Sequence, residues 1–289
     1  MPSTLTRVHD FIYTNARLLD RKLFAALFEG GSLEAVLQAL LAYQNSDGGF
    51  GNALEPDKRD PGSQPVDVQI AFQILEMIDA FDHPCVSQAC DFLASCTTLQ
   101  GGVPFALPSV MNYPRAPWWN VSAEPTASLN PTAALAGMLL AHGVQHAWLE
   151  RAVPFCWQAI AASESSEYHD LLPMITFLQH APESQRAAQE LERIRQCIEA
   201  QHLVSLDPAA AGYVHPPLDW APTPRHWARG LFNDAVLQAD LDRLLALQQE
   251  DGGWPISWQP VSFAVEMEWR GWRTVEALFT LEAYGVDIR

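Results

Sequence analysis

Apolar residues recur along most of this chain at the spacing of an amphipathic helix, and nowhere do they alternate over any length as a half-buried strand requires. Val8, Ile12, Ala16, Leu19 and Leu23 mark one helical face and predict a helix over 5–28, ended by Gly30-Gly31. Ser32 stands as the N-cap of a second helix that runs to Gln44. Val68, Phe72, Leu75 and Ile78 mark a third over 66–81, and Pro84 opens a fourth that reaches Leu99. Asn130-Pro131-Thr132 begins another, with proline in its first turn, that stops near Gly143. Further helices are predicted over 148–162, 168–180, 182–200, 234–247 and 266–284. The fold class is therefore all-α. Three long proline-rich stretches interrupt the helices, at 51–65, 106–131 and 201–227. The first carries Glu55, Asp57 and Asp60 and reads as too polar and broken to be core.

One phrase occurs twice at the end of an apolar helical run. It reads Gln44-Asn45-Ser46-Asp47-Gly48-Gly49-Phe50 near the start and Gln248-Gln249-Glu250-Asp251-Gly252-Gly253-Trp254 near the end. A glycine there takes the left-handed conformation that closes a helix, and a second lets another backbone approach. The Gln and Asp side chains can bond the backbone groups left open at the helix end. Gln100-Gly101-Gly102 is a worn copy, Gln201 opens a looser one, and Gln158 marks a fifth, eroded position. Gln44, Gln100, Gln201 and Gln248 are 56, 101 and 47 residues apart, so the unit is about 50 residues, two helices and a loop. A period of that size means stacked supersecondary units.

On these residues the chain resembles the prenyltransferase and squalene cyclase repeat superfamily. The closing stretch from Trp269 through Trp272 to Gly285 is similar to the second helix of that repeat. The resemblance implies a single domain over 1–289, an α/α toroid of about six helical hairpins with inner and outer rings of helices. It implies an aromatic-lined central cavity that takes isoprenoid chains. The family's chemical motifs do not carry over. The chain has no Asp-x-Asp-Asp, no Asp-Asp-x-x-Asp and no Asp-x-Cys.

Composition narrows the partners. The formal net charge is −17, which disfavours nucleic acid and anionic membrane surfaces. No apolar run reaches the length of a transmembrane helix. Five cysteines with no C-x-x-C spacing read as buried free thiols of a cytoplasmic protein.

Candidate chemistry lies in the long loops. Glu55 and Asp57 are the candidate catalytic acids. A carboxylic acid buried enough to stay protonated can start a cation cascade at a carbon–carbon double bond, and Asp57 is the expected donor. Trp118, Trp119, Trp220 and Trp258 would then stabilise the cation with their π faces. The plainer reading has Glu55 and Asp57 capping a turn or pairing with Lys58 and Arg59. His215, Asp219, Arg225 and His226 form a second cluster, suited to a diphosphate, to a metal, or simply to a rigid loop. No cofactor is expected, magnesium excepted if a diphosphate is bound, and no protein metal site. His142, His146 and Glu150 would align on one helix were Gly143 not between them, and Glu266, Glu268 and Arg270 read as a surface cluster before the last helix. Three functions follow. The first is a terpenoid cyclase-like or isoprenoid-binding enzyme with a hydrophobic small-molecule substrate. The second is a carbohydrate-active (α/α)6 hydrolase or lyase, and the third a non-catalytic lipid or peptide binding protein. One buried acid favours the first, and two carboxylates about 5 to 10 Å apart the second.

Overall fold

The computed structural model describes residues 3–207, 209–210 and 212–289. Among the described residues there are twelve α-helices and no strand. They are α1 (Thr4–Asn15), α2 (Leu18–Phe28), α3 (Leu33–Leu41), α4 (Pro65–Met77), α5 (Pro84–Cys96), α6 (Leu129–Ala141), α7 (Ala147–Ala162), α8 (Tyr168–His180), α9 (Ser184–Ala200), α10 (Pro217–Trp220), α11 (Asp234–Ala246) and α12 (Phe263–Ala283). None is long and apolar enough to cross a membrane.

The helix expected over 5–28 is two helices. Ala16 and Arg17 are both extended, with ψ of 159° and 158°. Arg21 Nε caps the end of α1 by donating to Ala16 O at 2.8 Å, and Arg17 pairs with the buried Asp20 at 2.9 Å. The corner is where α12 comes closest, because a Cβ on Gly271 would lie 2.8 Å from that of Ala16. The break lets α1 and α2 both lie against α12, which one straight helix could not do.

The chain divides into two compact units. In the unit Leu40–Gln201, α6 packs on α4 and on α8, while α5 packs on α7 and α9 on α8. Pro131 through Leu139 of α6 are all buried, so this helix is core on every face. In the unit formed by Met1–Ala39 and His202–Arg289, α12 is central and packs on α1, α2 and α11, with α10 against α11.

The repeated phrase is a clasp, and its hydrogen bonds give the repeat's register. Asn45 N donates to Gly49 O and Gly48 N to Asn45 O; Gln249 N donates to Gly253 O and Gly252 N to Gln249 O. Gln44 Nε2 reaches Gly48 O at 2.9 Å and Cys85 O, and Gln248 Nε2 reaches Gly252 O at 3.0 Å and Thr4 O. Asp47 and Asp251 accept from the N–H of Gly49 and Gly253. Trp254 folds back so that its indole N–H donates to Leu244 O of α11. Each clasp sits on the first turns of another helix. A Cβ on Gly48 would meet Gln88 O of α5 at 2.4 Å, and one on Gly252 would meet Arg7 O of α1 at 2.1 Å. Both glycines also have positive φ, 87° and 95°, so only glycine fits.

The third copy is shifted from its expected register. Thr98 N donates to Gly102 O and Gly101 N to Thr98 O. Gln100 therefore stands where the intact copies have aspartate, and Thr97 stands where they have glutamine. Trp148 Nε1 of α7 donates to Thr97 Oγ1 at 2.9 Å. Counted from Gln44, Thr97 and Gln248, the spacings are 53 and 151 residues, one period and three. Gln158 is not a clasp, since it lies inside α7, and Gln201 is the exposed C-cap of α9. At the end of α7 arginines do the capping instead. Arg193 of α9 donates to Ile160 O and Ser163 O, and Arg186 to Trp157 O.

The cluster expected before the last helix lies within it. Arg270 is buried in α12, where it grips both carboxylate oxygens of Asp251 at 2.7 and 2.8 Å and stacks over Phe11. Burial would raise the Asp251 carboxyl, but the Arg270 and Gly253 hydrogen bonds hold it below its ordinary value. Gly143 separates His142 from His146 as expected. His142 ends α6 and meets Glu76, while His146 caps α7 and meets Asp91.

Candidate functional site

The loop over 51–65, expected to be solvated, is buried. Glu55, Asp57, Lys58 and Asp60 are each 3% exposed or less, and so are Gln64 and Asp67 at the start of α4. Charges survive there because the loop is cross-linked by polar bonds. Pro65 begins α4 and places Asp67 in its first turn, where the open N–H groups favour a carboxylate. Asp67 accepts from Lys58 Nζ on one oxygen and from Glu55 N at 2.7 Å on the other. Asp60 accepts from Gly62 N, Gln64 Nε2 and Ser109 Oγ, at 2.9, 2.8 and 2.7 Å. Gln64 Oε1 in turn accepts from Leu107 N at 2.7 Å. A second loop is stitched alongside. Ala116 N donates to Asp57 O at 2.8 Å and Arg59 N to Pro114 O at 2.9 Å.

The electrostatics follow from this burial. Lys58 pairs with Asp67, while Glu55 has Lys58 as its one positive neighbour among the described residues, against the two carboxyls of Asp57 and Asp67. Burial pushes the Glu55 carboxyl well above the usual carboxylate range. Lys58 draws it down, while Asp57 and Asp67 raise it again. Burial also raises Asp67, against the pull of Lys58 and of the Glu55 N–H. Glu55 Oε2 is buried and meets no hydrogen-bonding atom among the described residues. The net effect on Glu55 is upward, toward the neutral form, at a carboxyl with one oxygen outside any hydrogen bond among the described residues.

Of the two adjacent tryptophans, Trp119 points inward and Trp118 outward. Trp119 stacks on Phe105 at 4.7 Å and packs with Ala106, Val110 and Ala116 against Val66 of α4. The structure therefore brings Glu55, Asp57 and Trp119 into one region of the Leu40–Gln201 unit.

His215, Asp219, Trp220, Arg225 and Trp258 lie in the other unit. His215 Nδ1 is 3.5 Å from Asp219, and Arg273 of α12 lies 3.9 Å from Asp219 and 3.1 Å from Glu276. Trp258 packs edge-on to Trp269 at 5.2 Å and to Tyr213 at 6.3 Å. Trp220 is fully buried and Arg225 is exposed. Burial raises the Glu276 carboxyl despite Arg273. Trp269, Arg273 and Glu276 are spaced i, i+4, i+7 on one face of α12, a signal the sequence carried. Lys58 and Asp67 had no such signal, because only the fold turns them toward each other. Among the described residues no group of three or more His, Cys, Asp or Glu is placed to hold a metal ion. Burial lifts the thiols of Cys85 and Cys90 to about 11 and about 12, so neither is a ready nucleophile.

No protein family is matched by the sequence, and no curated protein is similar to it. Solved structures are similar over nearly its whole length. One is a protein from Actinoplanes, at a TM-score of 0.60 and 16% identity, covering 97% of this chain and 98% of that one. Another is a variant of the type II terpene cyclase MstE from Scytonema in complex with its substrate, geranylgeranyl dihydroxybenzoate. There the TM-score is 0.56, the identity 14%, and the coverage 96% of this chain and 95% of that one. A second variant of that enzyme, bound to its product merosterolic acid A, gives 0.52 at 12% identity over 97% and 86% of the two chains. The chain therefore has a terpene cyclase-like helical fold.

Proposed function

We propose that the chain is a terpenoid cyclase-like enzyme that starts cyclisation by protonating an isoprenoid double bond from the Glu55–Asp57 pair, with Glu55 as the proton donor. The observation that carries this reading is Glu55 itself, a buried carboxyl whose Oε2 has no hydrogen-bond partner among the described residues and which desolvation pushes toward the neutral form. A fold that also serves type II terpene cyclases supports it by analogy. In the step, the π electrons of the alkene form a new C–H bond with the Glu55 proton, and the former alkene becomes a carbocation. The electron pair of the broken O–H bond stays on Glu55 as a carboxylate. Lys58, whose charge Glu55 feels in the resting state, then stabilises that conjugate base. Asp57 keeps the resting acid protonated by adding negative charge beside it. The stacked rings of Phe105 and Trp119 offer π faces to a developing cation.

The test is native mass spectrometry and product analysis after incubation with a panel of prenyl diphosphates and squalene. The native protein is expected to retain and convert one of them. Glu55→Gln is expected to retain it with conversion reduced by roughly 10²–10⁴-fold, the range typical of losing a general acid. No retained ligand and no product from the native protein would end the isoprenoid reading. Loss of turnover in Asp57→Asn with Glu55→Gln unaffected would move the proton to Asp57.

A further inference from the structure

One carboxylate fastens both the acid and its cation. Asp67 is fully buried in the first turn of α4. One of its oxygens accepts from the backbone N–H of Glu55 at 2.7 Å, and the other accepts from Lys58 Nζ, which is fully buried too. Asp67 therefore ties both ends of the turn from Glu55 to Lys58 onto α4. Ala116 N holds the same turn from the other side through Asp57 O at 2.8 Å. Among the described residues Lys58 makes its one ion pair with Asp67. It acts on Glu55 by charge and through no hydrogen bond.

This arrangement contains a competition. Lys58 is sealed from solvent, so its ammonium needs a carboxylate close by. Asp67 supplies that carboxylate. Were Asp67 uncharged, Lys58 would turn its charge on Glu55, where it is already the largest influence after burial itself. Glu55 would then ionise, and an ionised carboxyl has no proton to give. The charged groups acting on Glu55 are Lys58, Asp57 and Asp67, and Asp57 raises it more than Asp67 does. A sum of charges therefore makes Asp57 the more important of the two. A clamp reverses that order, because losing Asp67 removes a negative charge and also releases a buried cation.

We propose that Asp67 is a positioning residue for the reaction. By holding Lys58 and the Glu55 N–H on its two oxygens, it keeps the cation off the acid and leaves Glu55 able to donate. The proposal rests on Glu55 being the proton donor, and adds the residue that governs its charge.

The experiment reads the Glu55 carboxyl in the full chain without substrate, by infrared difference spectra against the same chain carrying Glu55→Gln. It compares the native protein with Asp67→Asn, Asp57→Asn and Lys58→Met/Asp67→Asn, each checked for folding by circular dichroism. Asp67→Asn keeps the shape of the side chain and an oxygen for the Glu55 N–H. The protonated carboxyl of the native protein is expected to be missing from Asp67→Asn at pH 7 and to return as the pH is lowered. Asp57→Asn is expected to shift the titration less. Lys58→Met/Asp67→Asn is expected to regain the protonated band at pH 7, because the competing cation is gone. That variant buries no charge at the pair, so it also serves should Asp67→Asn fail to fold. Turnover of the substrate that the native protein converts is expected to follow the band. In Asp67→Asn it should fall at pH 7 by roughly 10²-fold or more, the scale of losing a general acid, and recover on acidification. A native-like band in Asp67→Asn, a larger shift in Asp57→Asn, or no band in Lys58→Met/Asp67→Asn would overturn this proposal and leave Glu55 as the donor. A native protein without a protonated Glu55 at pH 7 would overturn the donor assignment as well.

Discussion

Asp47 and Glu55 stand eight residues apart and meet opposite fates. Asp47 is exposed, and one of its oxygens, Oδ1, is engaged twice. It accepts from Gly49 N at 3.0 Å and from Ser63 Oγ at 2.7 Å, and it closes a helix end. Glu55 is buried, and its Oε2 meets nothing among the described residues. The first carboxyl spends its charge on the backbone where water can still reach it. Burial pushes the second carboxyl upward, and the nearby Lys58 does not offset it. Acidic residues in one short stretch thus divide into a fastener and an acid, and the division is made by burial rather than by residue type.

The largest effect is expected from breaking the buried side. Lys58→Met leaves Asp67 buried without its cation and should cost about 3–5 kcal/mol in urea unfolding, as removal of one partner of a buried pair does. The clasps come next. Gly252→Ala puts a side chain at a φ of 95° and 2.1 Å from Arg7 O. It should cost about 1–3 kcal/mol or more. Gly285→Ala is the control for the backbone alone, because its φ is 77° but no atom lies within 4 Å. It should cost about 1–2 kcal/mol, the penalty of the left-handed conformation. Asp47→Ala removes two hydrogen bonds from an exposed acid and should cost about 1 kcal/mol in the same measurement. A loss as large as that of Lys58→Met would erase the contrast between the two stretches.

The last effect is one of direction. The folded state raises Glu55 above its unfolded value near 4.3. Its stabilising contribution is therefore complete below that pH and is lost as the pH rises through the folded value. Melting curves from pH 4 to 9 should show the native protein losing stability relative to Glu55→Gln as the pH rises. A constant difference across that range would mean that Glu55 titrates alike in both states.

Much of this fold was legible in the sequence. The helical periodicity marks all but the shortest helix, and the clasp marks the chain at both ends. Its register failed where chemistry was substituted. Thr97 does the work of glutamine through Trp148, and Arg193 caps α7 with no clasp at all. Neither substitution resembles the phrase it replaces. The break at Ala16 and Arg17 was hidden because the apolar face continues across it, and only the approach of Gly271 requires the corner. For the site, Glu55, Asp57 and Trp119 were visible as residue types, but the loop's polarity argued for solvent. Its burial depends on Gln64, the N-cap of the next helix, and on Asp67 within that helix, which meet Asp60 and Lys58 only in three dimensions. The pair of adjacent tryptophans was readable from the sequence, whereas its division into an inward Trp119 and an outward Trp118 was not.

The most direct test is a titration of Glu55 itself, by carbon-detected NMR of its side-chain carboxyl or by infrared difference spectra between the native protein and Glu55→Gln. At pH 7 the native protein should show a protonated carboxyl that is missing from the variant and that ionises only well above the ordinary range of glutamate. A Glu55 carboxyl already ionised near pH 4 to 5 would contradict the assignment of this residue as the acid.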